Sequence, residues 1–353
     1  MLRKQLSKAP FGAVPIAMAT NIAANQSHAH EAWLLTPAEI EALAHEPMPA
    51  IFASSTVLGT AALVAGLITI AALYIEERLS PFEAQIAPAL RKHATDIGPA
   101  ILRIALSIMI GLAATGGLPR HGVSPWIQPT FLVPDMQLTL LPGWDWLIAL
   151  QLAVATFLMI GLYTRLMGII MIGMSVLGLI AFGSGFWSYT PHFAAPGLIL
   201  LLTGGGRFST DKILGLDHYL VARRPQILWQ AAQFLVGAGF VYLAVAYKLT
   251  QPTLLIAILQ HGNLPTFGLP YAWIALIMTG VEIICGGLLI TGRLVRPVSL
   301  TIIGAITFLA VTLGETPLFH ANLYGSMIIF VLMGRNWTTT SSQSTSTFGK
   351  AMA

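Results

Sequence analysis

One carboxylate, Glu282, stands near the middle of an apolar run from Met278 to Pro297 (MTGVEIICGGLLITGRLVRP), which closes on Gly292, Arg293 and Arg296. An ionisable group at such a place costs about 2.5–3.5 kcal/mol on insertion scales, so it must be protonated, paired or hydrated. A carboxylate kept there at that cost suits a proton donor or acceptor. The competing reading is a protonated acid used as packing glue, hydrogen-bonded across helices to Tyr242 or Tyr324. Cys285 lies one turn further along the same face and is the only cysteine, so the chain has no internal disulfide.

Histidines are the second chemical resource. His192, in Pro191-His192-Phe193-Ala194, leads into GLILLLTGGGR, and His320, in Phe319-His320-Ala321-Asn322, leads into GSMIIFVLMGR. Glu315 lies shortly before His320. Imidazole suits copper, zinc and iron, so a metal or haem site built on His192, His320 and Glu315, with His121 or His261 nearby, is one expectation. Histidines capping short helices at a membrane interface are the other. The arginines at helix ends (Arg165, Arg207, Arg293, Arg296, Arg335) read first as anchors to the helix dipole and lipid phosphates, and second as anion ligands. Gly204–Gly206 follows a helix, so it reads as a helix stop with a Ser209/Thr210 cap, not as a phosphate loop.

The elements that must position these groups are membrane helices. Of 353 residues, 56% are hydrophobic and 9% charged, with a mean hydropathy of +0.76. Soluble domains carry about 25% charged residues, so this composition excludes a soluble fold. The net charge of +4 is spread over short loops, which leaves a nucleic-acid partner without support. Nine spans are expected: Ile51–Tyr74, Pro99–Leu118, Trp146–Tyr163, Leu166–Phe182, Phe193–Thr203, Ile227–Tyr247, Tyr271–Thr291, Pro297–Leu313 and Ala321–Met333. The fifth and ninth are short for a bilayer of about 30 Å. Thirteen basic residues fall on one side of these spans, and only Arg120 and Lys248 on the other. That bias places the mature N-terminus in the periplasm of a bacterial inner membrane and the C-terminus in the cytoplasm.

Ahead of the spans, residues 1–29 read as a signal peptide cut after Ala29, which would make His30 a chelating N-terminus. Residues 30–50 read as a periplasmic amphipathic segment, opened by a capping box at Thr36-Pro37-Ala38-Glu39. Residues 51–97 hold the first helix and a cytoplasmic linker, and 337–353 a disordered Ser/Thr-rich tail. Between them the chain repeats. Gln151, Gly161 and Arg165 pair with Glu282, Gly292 and Arg296 at one spacing. His192, Gly197, Gly206 and Arg207 pair with His320, Gly325, Gly334 and Arg335 at a spacing three residues shorter. Residues 98–216 and 217–336 thus read as two parallel four-helix copies, one holding an amide where the other holds the acid.

GVEIICGGLLITGRLVRP in one copy, with GLYTRLMG and LLLTGGGRFSTDKILG in the other, resembles the DoxX/DoxD family of small four-helix membrane proteins. In that family an acid on the second helix precedes a Gly-x-x-x-Arg turn, and the fourth helix ends in Gly-x-Gly-Arg-x-Ser. Glu282 matches the acid, Gly292 and Arg296 the turn, and Gly204, Gly206, Arg207 and Ser209 the ending. Gln151 departs from the pattern, and so does Gly334-Arg335-Asn336-Trp337, which lacks the serine. The resemblance implies an all-α polytopic bundle with two such repeats and one leading helix. It also implies a subunit of a quinone-linked redox system acting on a periplasmic sulfur compound or thiol. Glu282 would then handle protons, His192, His320, Tyr242 and Tyr324 would surround the quinone, and a periplasmic subunit would be the partner. No electron-carrier motif is present, so two other readings stand: a membrane scaffold for a periplasmic partner, and a proton-coupled permease for a small solute or metal.

Overall fold

The computed structural model describes residues 34–120 and 125–337. The expected signal peptide, His30, His121 and most of the tail lie outside them. The described chain is all-helical, apart from one isolated bridge between Thr130 and Gln137. Long apolar runs leave no alternative inside a bilayer, where every backbone N–H and C=O must find its partner within the protein.

Three helices lead: α1 (Pro37–Ala44), α2 (Ala50–Ala53) and α3 (Ser55–Ala94). A first set follows, α4 (Gly98–Thr115), α5 (Trp146–Ile160), α6 (Thr164–Phe182) and α7 (Thr190–Thr203), then a single turn, α8 (Thr210–Ile213). A second set comprises α9 (Pro225–Leu243), α11 (Tyr271–Ile290), α12 (Val295–Leu313) and α13 (Ala321–Met333), with α10 (Pro252–His261) inserted after α9. The capping box at α1 is present, Thr36 and Glu39 bonding each other's backbone N–H.

Among the described residues six helices are long and apolar enough to cross a membrane: α3, α4, α6, α9, α11 and α12. At 1.5 Å per residue, α5, α7 and α13 reach only about 20 Å, short of a 30 Å hydrocarbon core. The chain is therefore compatible with a multi-pass membrane protein. Helix α3 departs from the sequence reading. The expected span and linker form one 40-residue helix that continues through Pro81 and Pro88, about 60 Å long. Each proline removes a single backbone donor, and the turns on either side carry the helix on.

Packing is pairwise. Within the sets α4 lies on α5, α6 on α7, α9 on α11 and α12 on α13; between them α7 lies on α9, and α13 on α4. Lipid is as apolar as leucine, so helices in a membrane associate through close backbone approach. A Cβ at Gly237 would fall 2.5 Å from the carbonyl oxygen of Gly286, and one at Gly286 2.7 Å from that of Gly237. Any side chain at either place would push α9 from α11.

Candidate functional site

The second helix of each set ends alike. Gly161 (φ 69) and Gly292 (φ 64) take the left-handed conformation, and so do Tyr163 (φ 50) and Leu294 (φ 49) two residues on. The arginine that follows reaches back across the bundle in both sets. Arg165 Nη1 donates to the carbonyls of Leu201 and Leu202 at 2.6 and 3.0 Å. Arg296 donates to those of Val331, Leu332 and Met333 at 2.8, 3.3 and 3.0 Å. These arginines satisfy last-turn carbonyls that have no helical partner. The glycines ending α7 and α13 are Gly204 (φ 69, ψ −159) and Gly334 (φ 79, ψ −154). Gly334 thus corresponds to Gly204, two residues before the Gly206 that the sequence pairing chose. The same shift puts Asn322, rather than His320, at the level of His192, and Asn322 Nδ2 donates to the His192 carbonyl at 2.9 Å.

Gln151 on α5 and Glu282 on α11 stand at matching distances before the turn glycines Gly161 and Gly292, and their surroundings differ. Gln151 is fully buried. Its Oε1 accepts from Leu132 N at 2.8 Å and its Nε2 donates to Thr130 O at 3.0 Å. These belong to the α4–α5 connection, which folds back into the first set with Phe131, Leu132, Val133 and Met136 buried. Phe131 stacks on Phe182 with centroids 6.1 Å apart. An amide can donate and accept at once, so it can hold a peptide edge; a carboxylate cannot.

In the second set the corresponding connection forms α10, with Leu254 and Ile258 against Leu35 and Ile40 and with Leu255 and Leu259 against Ala275 and Leu276 of α11. Glu282 meets a lysine instead. Lys248 Nζ is ion-paired with Glu282 Oε1, the two side chains being 8% and 20% exposed. Lys248 reaches inward because α9 ends in a π-helical turn, Ala244–Lys248, closed by Leu249 N to Ala244 O at 3.0 Å. Such turns add a residue to the helical register and recur at functional sites. Glu282 Oε2 is buried with no hydrogen-bond partner. A cavity of about 70 Å³ adjoins the pair, lined also by His192, His320, Cys285 and Phe240. His192 lies edge-on to Phe240 at 5.2 Å, and Gly239 admits the ring, since a Cβ there would be 2.7 Å from His192 Nε2.

The structure thus brings Glu282, His192 and His320 together and leaves three expected residues aside. Tyr242 packs on Tyr247, with centroids 5.8 Å apart. The Tyr324 hydroxyl is bonded to Thr307 Oγ1 at 2.9 Å. Glu315 does not line the cavity, and among the described residues no three of His, Cys, Asp and Glu gather to hold a metal ion. The partner of Glu282 is Lys248, where the sequence pointed to Tyr242 or Tyr324. Its signal was present: a lone lysine closing an apolar helix, set aside as a loop charge. At about 70 Å³ the cavity is smaller than the cavity of about 150 Å³ known to bind benzene.

Four other polar residues escaped the sequence reading. Arg103 is 2% exposed, and it donates to the carbonyls of Gly205, Leu158, Met159 and Phe208. Asp211 accepts from Tyr163 N at 2.6 Å and Thr164 N at 2.8 Å. Glu76 and Glu83, on α3, pair with Arg293 and Arg296. Compared with known proteins, the chain matches no family model, no curated protein and no solved structure.

Proposed function

We propose that this chain is a DoxX-like membrane protein built by duplication, in which the second set works and the first is structural. The matched glycine turns, matched arginines and reciprocal helix packing support the duplication. One observation carries the division of labour. The position of the acid is closed by a folded-back loop around Gln151 and open to a cavity around Glu282. The Lys248–Glu282 pair handles protons. The ion pair holds an acid and a base in contact across one transferable proton, and Glu282 Oε2 carries no other hydrogen bond. His192 and His320 line the same cavity and extend the set of proton carriers.

The resemblance ties this chemistry to a quinone-linked redox system in the bacterial inner membrane, with a periplasmic sulfur- or thiol-oxidising partner. The charge bias supports a periplasmic N-terminal side. The ring docks outside the cavity. An apolar groove of about 460 Å³ between α3 and α11 shares Val281 with it. The size of the cavity favours a second reading, a proton-coupled permease, because 70 Å³ holds water but not a ring.

Wild type and Glu282→Gln, purified with whatever subunits accompany them, distinguish these readings by solvent extraction of quinone and by proton flux in proteoliposomes. Bound quinone with reduction lost in the variant supports the redox subunit. Proton-dependent flux without quinone, lost in the variant, supports the permease. A chain inert in both assays, with the variant indistinguishable from wild type, defeats both and leaves the scaffold.

A further inference from the structure

The two arginines that follow the matched turns differ in one respect. Arg296 spends every edge of its guanidinium: Nε and Nη2 on the α13 carbonyls, and Nη1 on the Glu83 carboxylate from α3. Arg165 spends Nη1 on the α7 carbonyls, and its Nε is buried with no hydrogen-bond partner. Among the described residues no carboxylate is hydrogen-bonded to Arg165. Instead Arg165 lines a cavity of about 270 Å³ at the arginine-rich end of the bundle, together with Gly204–Gly206, Arg207 and Lys212. Asp211 and Asp217 line the same cavity and act on the Arg165 charge only from a distance.

We propose that this cavity binds a phosphate-type oxyanion, held by Arg165 and Arg207 with Lys212 at the rim. Glu83 shows the chemistry: on the matching arginine, Arg296, a carboxylate takes the one guanidinium nitrogen, Nη1, that the helix-end carbonyls leave over. Gly204 leaves the approach open, since a Cβ there would lie 3.3 Å from Arg165 Nε. Arg207 is 68% exposed and its ion pair with Asp96 is loose at 4.0 Å, so it is free to turn onto a ligand. The carboxylates around the cavity do not fill the role. Both oxygens of Asp211 are taken by Tyr163 N and Thr164 N, and Asp217 is held by Lys212 at 2.8 Å. A planar guanidinium beside a point-charge ammonium suits a tetrahedral oxyanion. Exposed apolar side chains flank the site (Phe208, Ile213 and Leu214). The ligand is therefore either a phospholipid head group, its tails beside those residues, or free phosphate. The inference is independent of the role given to Glu282.

The test uses the full chain. Thermal unfolding in neutral detergent is followed with inorganic phosphate against chloride at matched ionic strength. Native mass spectrometry of the chain released from phosphatidylcholine nanodiscs, with and without phosphatidylglycerol, runs beside it. Stabilisation that saturates with phosphate identifies free anion, and selective retention of phosphatidylglycerol identifies a lipid head group. In either case Arg207→Gln, an exposed change that spares the fold, weakens binding about tenfold, and Glu83→Gln frees Arg296 to take a second equivalent. Phosphate no better than chloride with no lipid retained overturns the proposal. So does binding that Arg207→Gln leaves unchanged.

Discussion

Glu76 Oε1 accepts a hydrogen bond from Leu294 N at 2.9 Å. It does for the second set what Asp211 does for Tyr163 N in the first. In each set a residue in the left-handed conformation starts the third helix with a bare backbone donor, and a carboxylate caps it. The first set finds that carboxylate in its own Ser209-Thr210-Asp211 turn. The second ends in Gly334-Arg335-Asn336-Trp337, which has none, and α3 reaches across to provide it. The leading helix, outside the repeat by sequence, thus completes the second set.

Glu76→Ala is expected to release the middle of α3 from the α11–α12 turn. The loss of a capped donor and an ion pair amounts to about 1–3 kcal/mol. Hydrogen exchange read over residues 76–94 and 291–296 should rise in both segments together. Asp211→Ala should instead raise exchange around residues 161–165 and leave α3 as it was.

Gln151→Ala leaves the Leu132 N–H and the Thr130 carbonyl buried without partners. At about 1–3 kcal/mol for each group, the variant should lose about 2–5 kcal/mol and expose the residue 129–138 loop to protease. Unfolding midpoints in one detergent check it. An unchanged midpoint would mean that the loop is held by its apolar side chains alone.

Removing one partner of a buried ion pair strands the other charge, at a cost of about 3–5 kcal/mol, whereas removing both is close to neutral. Glu282→Gln should therefore be strongly destabilised, and Glu282→Gln with Lys248→Met should recover most of the loss. Proton-dependent activity should stay absent in the double variant, which separates the chemical role of the pair from its structural one.

Tyr163 and Leu294 sit in a conformation that costs a non-glycine residue about 1–2 kcal/mol. A β-branched residue suffers most there, so Tyr163→Val should destabilise by about 1 kcal/mol or more. Tyr163→Gly should be neutral or slightly stabilising, even with the contact to Tyr219 lost. The thermal midpoint of Tyr163→Val should fall below wild type and that of Tyr163→Gly at or above it; the reverse order would remove strain from the account of this turn.

Much of the helical framework was legible in the chain. Ala321–Met333 matches its helix residue for residue, and most other expected spans agree within a few residues, because an apolar run has one way to satisfy its backbone in lipid. The turn glycines Gly161 and Gly292 and the arginines after them were legible for the same local reason. The register of the fourth helices was not. His192 and His320 look equivalent by neighbouring letters, but the helix ends fix a spacing that only the arginine-to-carbonyl contacts reveal. Nor did the apolar run Trp146–Tyr163 reveal that its helix ends at Ile160.

The sequence by itself determined an all-helical chain compatible with a multi-pass membrane protein, with an acid at Glu282 and an amide at Gln151 inside apolar runs, since composition and hydropathy act locally. Only the tertiary structure decided what that acid faces. Lys248 lies 34 residues away and points inward through a π turn, and the connection that folds back beside Gln151 in the first set becomes α10 in the second, packed on α1 and the start of α11. Charge pairing and burial depend on which distant segments meet, and no periodicity in the chain encodes that meeting.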